Sequence, residues 1–127
     1  MAGEIPEEVL YHVLDALPTE ISFIDADDTV RYFNKDDKRV FRRPKSAIGR
    51  KVQDSHPKKS RDKVNEILES FRQNRRDMVQ FWIDHHGRRM LIRYFAVRDE
   101  KGTYLGTLEA TEDITDIQRL EGEKRQL

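Results

Sequence analysis

The side chains best equipped for chemistry in this sequence are four histidines, a tyrosine inside an apolar run, and several adjacent carboxylates. His56 precedes Pro57, at the expected mouth of a helix, which makes it the best placed of the four for axial ligation of a metal or haem iron. It lies before the apolar face of that helix, however, and no second ligand stands at a fixed spacing from it, so no metal site is predicted. His85 and His86 fall in a hairpin turn, where neighbouring side chains point apart; solvent exposure is expected there rather than chelation. Asp27-Asp28 and Asp36-Asp37 are turn neighbours, and solvated acids are the default in turns. The chain has no cysteine, which removes disulfides, thiolate nucleophiles and thiolate metal sites. No serine, histidine and acid occur in a recognisable catalytic motif, and an enzyme is not predicted. Tyr94 remains: if it is buried its hydroxyl needs a partner, and it is the residue expected to orient a ligand.

The elements that must position these groups are legible as periodicities. Pro6, Glu7 and Glu8 suit the first turn of a helix, and Val9, Leu10, Val13, Leu14 and Leu17 then form one apolar stripe ending at Pro18. Residues 21–25 and 29–33 read as a hairpin, with Asn34 capping a short helix over 35–40. Residues 42–50 are turns. Pro57 starts a second helix with His56 or Ser55 as its cap, and Val64, Ile67, Leu68 and Phe71 recur on its buried side. Gln73-Asn74 is its stop. Strands follow over 78–84, 89–98 and 103–115, joined by His85-His86-Gly87 and by Asp99-Glu100-Lys101-Gly102. Period two places Val79, Phe81 and Ile83 with Met90, Ile92 and Tyr94 on one face, opposite Val64, Leu68 and Phe71 of the helix and Phe41 before it. These residues outline a candidate ligand pocket, or equally a filled core, since the same aliphatic and aromatic mix serves both. Trp82, Leu91, Phe95 and Val97 share the other face. Such a group needs a cover, either the N-terminal helix through Leu10 and Leu14 or a second copy of the chain.

A length of 127 residues fits one domain: residues 1–18 an amphipathic helix, 19–115 the core, 116–127 the start of a C-terminal helix or a linker. Charged residues make up 38% against 36% hydrophobic, yet the periodic segments exclude disorder. The formal net charge is zero, which argues against general capture of nucleic acid or anionic membrane. The charge is unevenly placed. Residues 42–63 hold nine Lys or Arg against two Asp, and residues 99–123 hold eight Asp or Glu against two Lys or Arg. Opposite charges matched across the fold or a dimer are the expected meaning, in preference to an anion site. The basic run lacks aromatic residues for base stacking. No apolar run approaches the roughly 20 residues that span a bilayer, and the first residues lack a signal-peptide core, so a cytoplasmic protein is expected.

The sequence resembles the PAS domain family across residues 7–118. The resemblance is carried by Asp25, Val30, Tyr32 and Asn34 in the first hairpin, Gly49 before the longer helix, Gly102 and Gly106 in the last hairpin, and Asp113-Ile114-Thr115 at its end. Phe81-Trp82-Ile83, the run Ile92-Arg93-Tyr94-Phe95-Ala96-Val97-Arg98, and Tyr104-Leu105-Gly106 are further similar to the PAS domain found C-terminal to hemerythrin-like domains in bacterial and archaeal proteins. In that subgroup a Cys-His-Pro-Pro sequence opens the longer helix; Ser55-His56-Pro57-Lys58 stands here, without the thiol. The lack of cysteine also rules out the photo-adduct of light-sensing relatives. The resemblance implies an α+β fold with a five-stranded antiparallel sheet in the order 2-1-5-4-3 and helices over one face. It implies a sensory or regulatory module that holds haem, flavin or a small metabolite, or that holds nothing and docks to other domains. It also implies a homodimer, an attached signalling domain, and a signal-transfer role for Asp113, Ile114 and Thr115, with Thr115 capping an outgoing helix.

Overall fold

The computed structural model describes all 127 residues. The chain forms α1 (Glu7–Asp15), β1 (Glu20–Asp25), β2 (Val30–Phe33), α2 (Lys58–Arg72), β3 (Met78–His85), β4 (Arg88–Arg98) and β5 (Tyr104–Asp113). Short 3-10 turns lie between β2 and α2 and at Ile117–Arg119. The strands make one antiparallel sheet in the order β2-β1-β5-β4-β3, as expected of the α+β fold. No helix is long and apolar enough to cross a membrane.

Strand register assigns every side chain to a face. Phe81 pairs with Ile92, Val79 with Tyr94 and Ile83 with Met90; Tyr94 in turn pairs with Glu109 and Ile92 with Thr111. These residues share the inner face, over which α2 lies. Ile24, Val30, Val52, Val64 and Leu68 form one buried cluster, and Ile67, Phe71 and Tyr94 form another. Each fully buried aliphatic or aromatic side chain contributes about 1.5–3 kcal/mol. The β3–β4 turn is closed by His86 and Gly87, both at positive φ, the backbone of a tight two-residue hairpin. At Gly106 a Cβ would collide with the Ile24 carbonyl oxygen, so glycine lets β5 pass β1 closely.

Three local expectations are corrected. Asn34 caps no helix: it is fully buried, accepts the Ile21 N–H at 2.7 Å, and donates to the carbonyls of Leu14 and Thr19, locking the end of α1 to β1. A long-range use outcompetes a local one because this amide satisfies three backbone groups at once. Only a single 3-10 turn, Asp36–Lys38, follows it. The cap position of α2 is Pro57, with no side-chain bond to the helix N-terminus, so neither Ser55 nor His56 serves there. Residues 116–127 hold one turn and then run without regular structure to Leu127, so no helix starts at Asp116; Gly122 and the lack of a packing partner both disfavour one.

α1 touches the outer face only at its β2 edge, where Tyr11 meets Tyr32 with ring centroids 5.3 Å apart. Leu10 and Leu14 are half-buried and no residue of α1 is fully buried. Trp82 stays 59% exposed. The helix is thus removed as the cover of Trp82, because it packs at the opposite edge of the sheet.

Candidate functional site

Helix α2 meets the sheet closely at one end and stands away from it at the other. At its C-terminal end Leu68 and Phe71 are fully buried, and two arginines clamp the chain. Arg72 donates to Asp28 at 2.7 Å and to the Ala26 carbonyl at 3.1 Å, while Arg98 donates to the carbonyls of Phe71 at 2.9 Å and Arg76 at 3.1 Å. At its N-terminal end the gap widens into a half-open cavity of about 790 Å³. Ser60, Lys63, Val64 and Ile67 of α2 form one wall, Phe81, His85, Ile92, Tyr94, Glu109 and Thr111 of the sheet form the floor, and residues 40–47 close the third side.

Segment 40–43 is held in place by a buried ion pair that the sequence did not reveal. Arg39 and Glu20 are both buried, with Nη2 and Oε2 3.8 Å apart. Arg39 also donates to the carbonyls of Ile21, Asn34 and Phe41, and Glu20 accepts the N–H groups of Val40 and Phe41. Burial pulls the Arg39 guanidinium below its usual range, with Glu20 opposing. This fixes the backbone that delivers Phe41, Arg42 and Arg43 to the cavity.

Of the expected pocket residues, Phe41, Val64, Phe81, Ile92 and Tyr94 line the cavity and Leu68, Phe71 and Ile83 do not. Leu68 and Phe71 lie on the last turns of α2, where helix and sheet are in contact and no space is left. Ile83 is on edge strand β3, beyond the helix, and is 37% exposed. The expected exposure of His85 is also corrected. It is half-buried, lines the cavity and packs against Phe41 with centroids 4.8 Å apart. The parity of Val79, Phe81 and Ile83, continued by one residue, was the signal for it. His56 reaches the cavity too, with Nδ1 3.0 Å from the Val52 carbonyl oxygen. No three His, Asp or Glu side chains come together anywhere to hold a metal ion.

Of the polar lining, only the matching of basic run 42–63 with acidic run 99–123 was anticipated, and Arg43 with Glu109 is one such pair. Arg43 Nη2 donates to Glu109 Oε2 at 2.7 Å, with only 11% and 12% of the two side chains exposed, and the buried Arg43 Nη1 has no protein partner. Burial, with Glu109 next in effect, pushes the Tyr94 phenol far up, so it stays neutral.

The PAS domain family model matches residues 10–115. The chain belongs to the PAS domain family. It is similar to a C-terminal domain from Streptococcus mutans, at 35% identity and a TM-score of 0.88, covering 95% of this chain and 94% of that one. It shares its fold with a sensory box sensor histidine kinase from Vibrio cholerae, at 15% identity and a TM-score of 0.61 over 85% of this chain and 90% of that one. It also shares it with the PAS domain of Bordetella pertussis BvgS, at 18% identity and a TM-score of 0.63 over 88% and 90%. No curated protein matches the chain.

In this PAS domain the three residues at the end of β5 are tied together as a knot. Asp113 accepts from Arg88 Nε at 2.8 Å through one oxygen, and from the N–H and hydroxyl of Thr115 through the other. The Thr115 hydroxyl oxygen accepts the Arg89 N–H at 2.7 Å, and the Ile114 N–H donates to the Arg89 carbonyl. Thr115 therefore caps no helix; it binds the exit to the start of β4. The Arg88 hydrogen bond, with those from Thr115, brings the Asp113 carboxyl down to about 2.

Proposed function

We propose that this PAS domain is a sensory or regulatory module that holds a small molecule in the cavity, pairs with a second copy across the outer face of the sheet, and relays occupancy to an attached domain. The observation that carries this is the continuity of cavity and exit: Glu109 and Thr111 line the cavity, and Asp113, at the end of the same strand, ties the chain to Arg88. A ligand that displaces the floor therefore acts on the exit through rigid backbone. The volume lies within the range of small-molecule sites. Trp82, with Met78 and the half-buried Phe95, Leu91 and Val97 beside it, gives the outer face the apolar character of a pairing surface. The sensor histidine kinase among its structural neighbours is a precedent for such a role in the fold. The hemerythrin-associated subgroup suggested by the sequence fits an attached helical domain. The role is not catalytic.

The second reading, a docking module without a ligand, draws on the same exposed Trp82. Native mass spectrometry and an absorbance spectrum of freshly purified protein separate the two, and tell haem or flavin from a colourless metabolite. A dimeric mass carrying a releasable small molecule is expected. A dimer of bare chain mass supports docking, and a bare monomer contradicts both.

A further inference from the structure

We propose that the cavity takes an amphipathic organic acid, with an apolar body and one or two anionic groups; this rests on reading the cavity as a ligand site. Part of its lining is apolar, formed by Phe81 and Ile92 of the sheet and Val64 and Ile67 of α2. The rest carries a surplus of positive charge. Arg42, Arg43, Arg50 and Lys63 bring four positive charges against the carboxylates of Asp54 and Glu109, and Glu109 is already engaged by Arg43.

The surplus is local, since the chain as a whole carries 24 basic and 24 acidic residues. Arg31, Arg39, Arg72, Arg88, Arg89 and Arg98 each pair with a carboxylate. Arg42, Arg50 and Lys63 form no ion pair, and Lys63 Nζ instead sits 3.6 Å from the centroid of the Phe81 ring on the cavity floor. The basic run of residues 42–63 is thus matched across the fold only in part, and much of what is left over faces one concave surface. Unpaired cations around a cavity with low-dielectric walls concentrate anions there.

Two details add to the positive potential. Arg43 spends Nη2 on Glu109, and its Nη1 is buried without a protein partner, so this guanidinium at the cavity is not fully satisfied. The first turn of α2, whose N-terminus has no side-chain cap, presents Ser60 to the cavity, and the helix dipole adds positive potential at that end. A neutral ligand would meet the apolar side chains and leave that potential unused.

Octanoate and octan-1-ol share a body and differ in charge, which makes them the probe pair for isothermal titration of the full chain. Octanoate is expected to bind at least tenfold more tightly. In the double variant Arg50→Ser, Lys63→Gln, which alters two exposed side chains, that preference, read as the ratio of the two affinities, is expected to fall at least fivefold. Equal affinity of the two probes for the unaltered chain overturns the acid assignment and leaves the cavity as a ligand site; a preference that survives the double variant overturns the part assigned to Arg50 and Lys63. Binding of neither probe overturns the ligand reading along with it.

Discussion

The two ends of α2 use the same residue types in opposite ways. At the C-terminal end Arg72 and Arg98 are consumed by the fold, bonded to Asp28 and to backbone carbonyls above fully buried Leu68 and Phe71. At the N-terminal end Arg42, Arg50 and Lys63 find no acid, and the side chains beneath them border a cavity. One end of the helix holds the domain together, and the other is left available. A single amphipathic helix can therefore close the core at one end and border an open cavity at the other.

That division is testable by substitutions at matched positions. Phe71→Ala should cost roughly 3–5 kcal/mol in urea unfolding, because the fully buried ring leaves a cavity. Phe81→Ala, whose ring already borders open space, should cost clearly less; equal losses would mean that the cavity end is as tightly packed as the clamp. Next in size, Arg98→Ala removes charged hydrogen bonds to the Phe71 carbonyl at the end of α2 and to the Arg76 carbonyl beyond it, and should cost about 1.5–3 kcal/mol. Faster amide exchange in residues 68–72 than in 60–64 would localise the loss. Arg50→Ser should stay within about 0.5 kcal/mol of the unaltered protein, and a larger loss would show that this arginine is structural after all.

The effect expected at Asp113 is confined to acid pH. Its folded carboxyl titrates at about 2, below the ordinary 3.8, so the protein gains from its ionisation in the folded state. That gain is fully present above pH 4 and is lost as the pH falls from there through 2. In Asp113→Asn the acid limb of the stability curve should be flatter over that window and unchanged near neutrality in slope. An identical acid limb in the two proteins would mean that Arg88 does not hold the carboxylate in solution.

What the sequence disclosed came from two sources. Strand order was implied by the resemblance to the PAS family, whereas the inner parity of Phe81, Ile92 and Tyr94 and the buried side of α2 were legible because alternation and helical spacing report which face a residue occupies. Which residues on that face border space was not legible, because this depends on how far the helix stands from the sheet. Leu68 and Val64 are one turn apart and share a pattern, yet only Val64 reaches the cavity. The buried polar set of Glu20, Arg39, Arg43 and Glu109 was missed for a related reason. Long-range ion pairs have no spacing rule: Arg43 and Glu109 were expected only as members of a basic and an acidic run matched across the fold or a dimer, and Arg39 fell in the short helix expected over 35–40. His85 was within reach, since the parity of β3 pointed to it.

Arg88 is shared by Asp113 and Asp116, at 2.8 and 3.3 Å. For anyone splicing this domain into a chimera, the junction is set by that sharing. A graft joined after Asp116 inherits a chain direction pinned at two points. A graft joined after Glu112 loses both anchors and swivels, so the two chimeras should differ in how faithfully an input at one end becomes an output at the other.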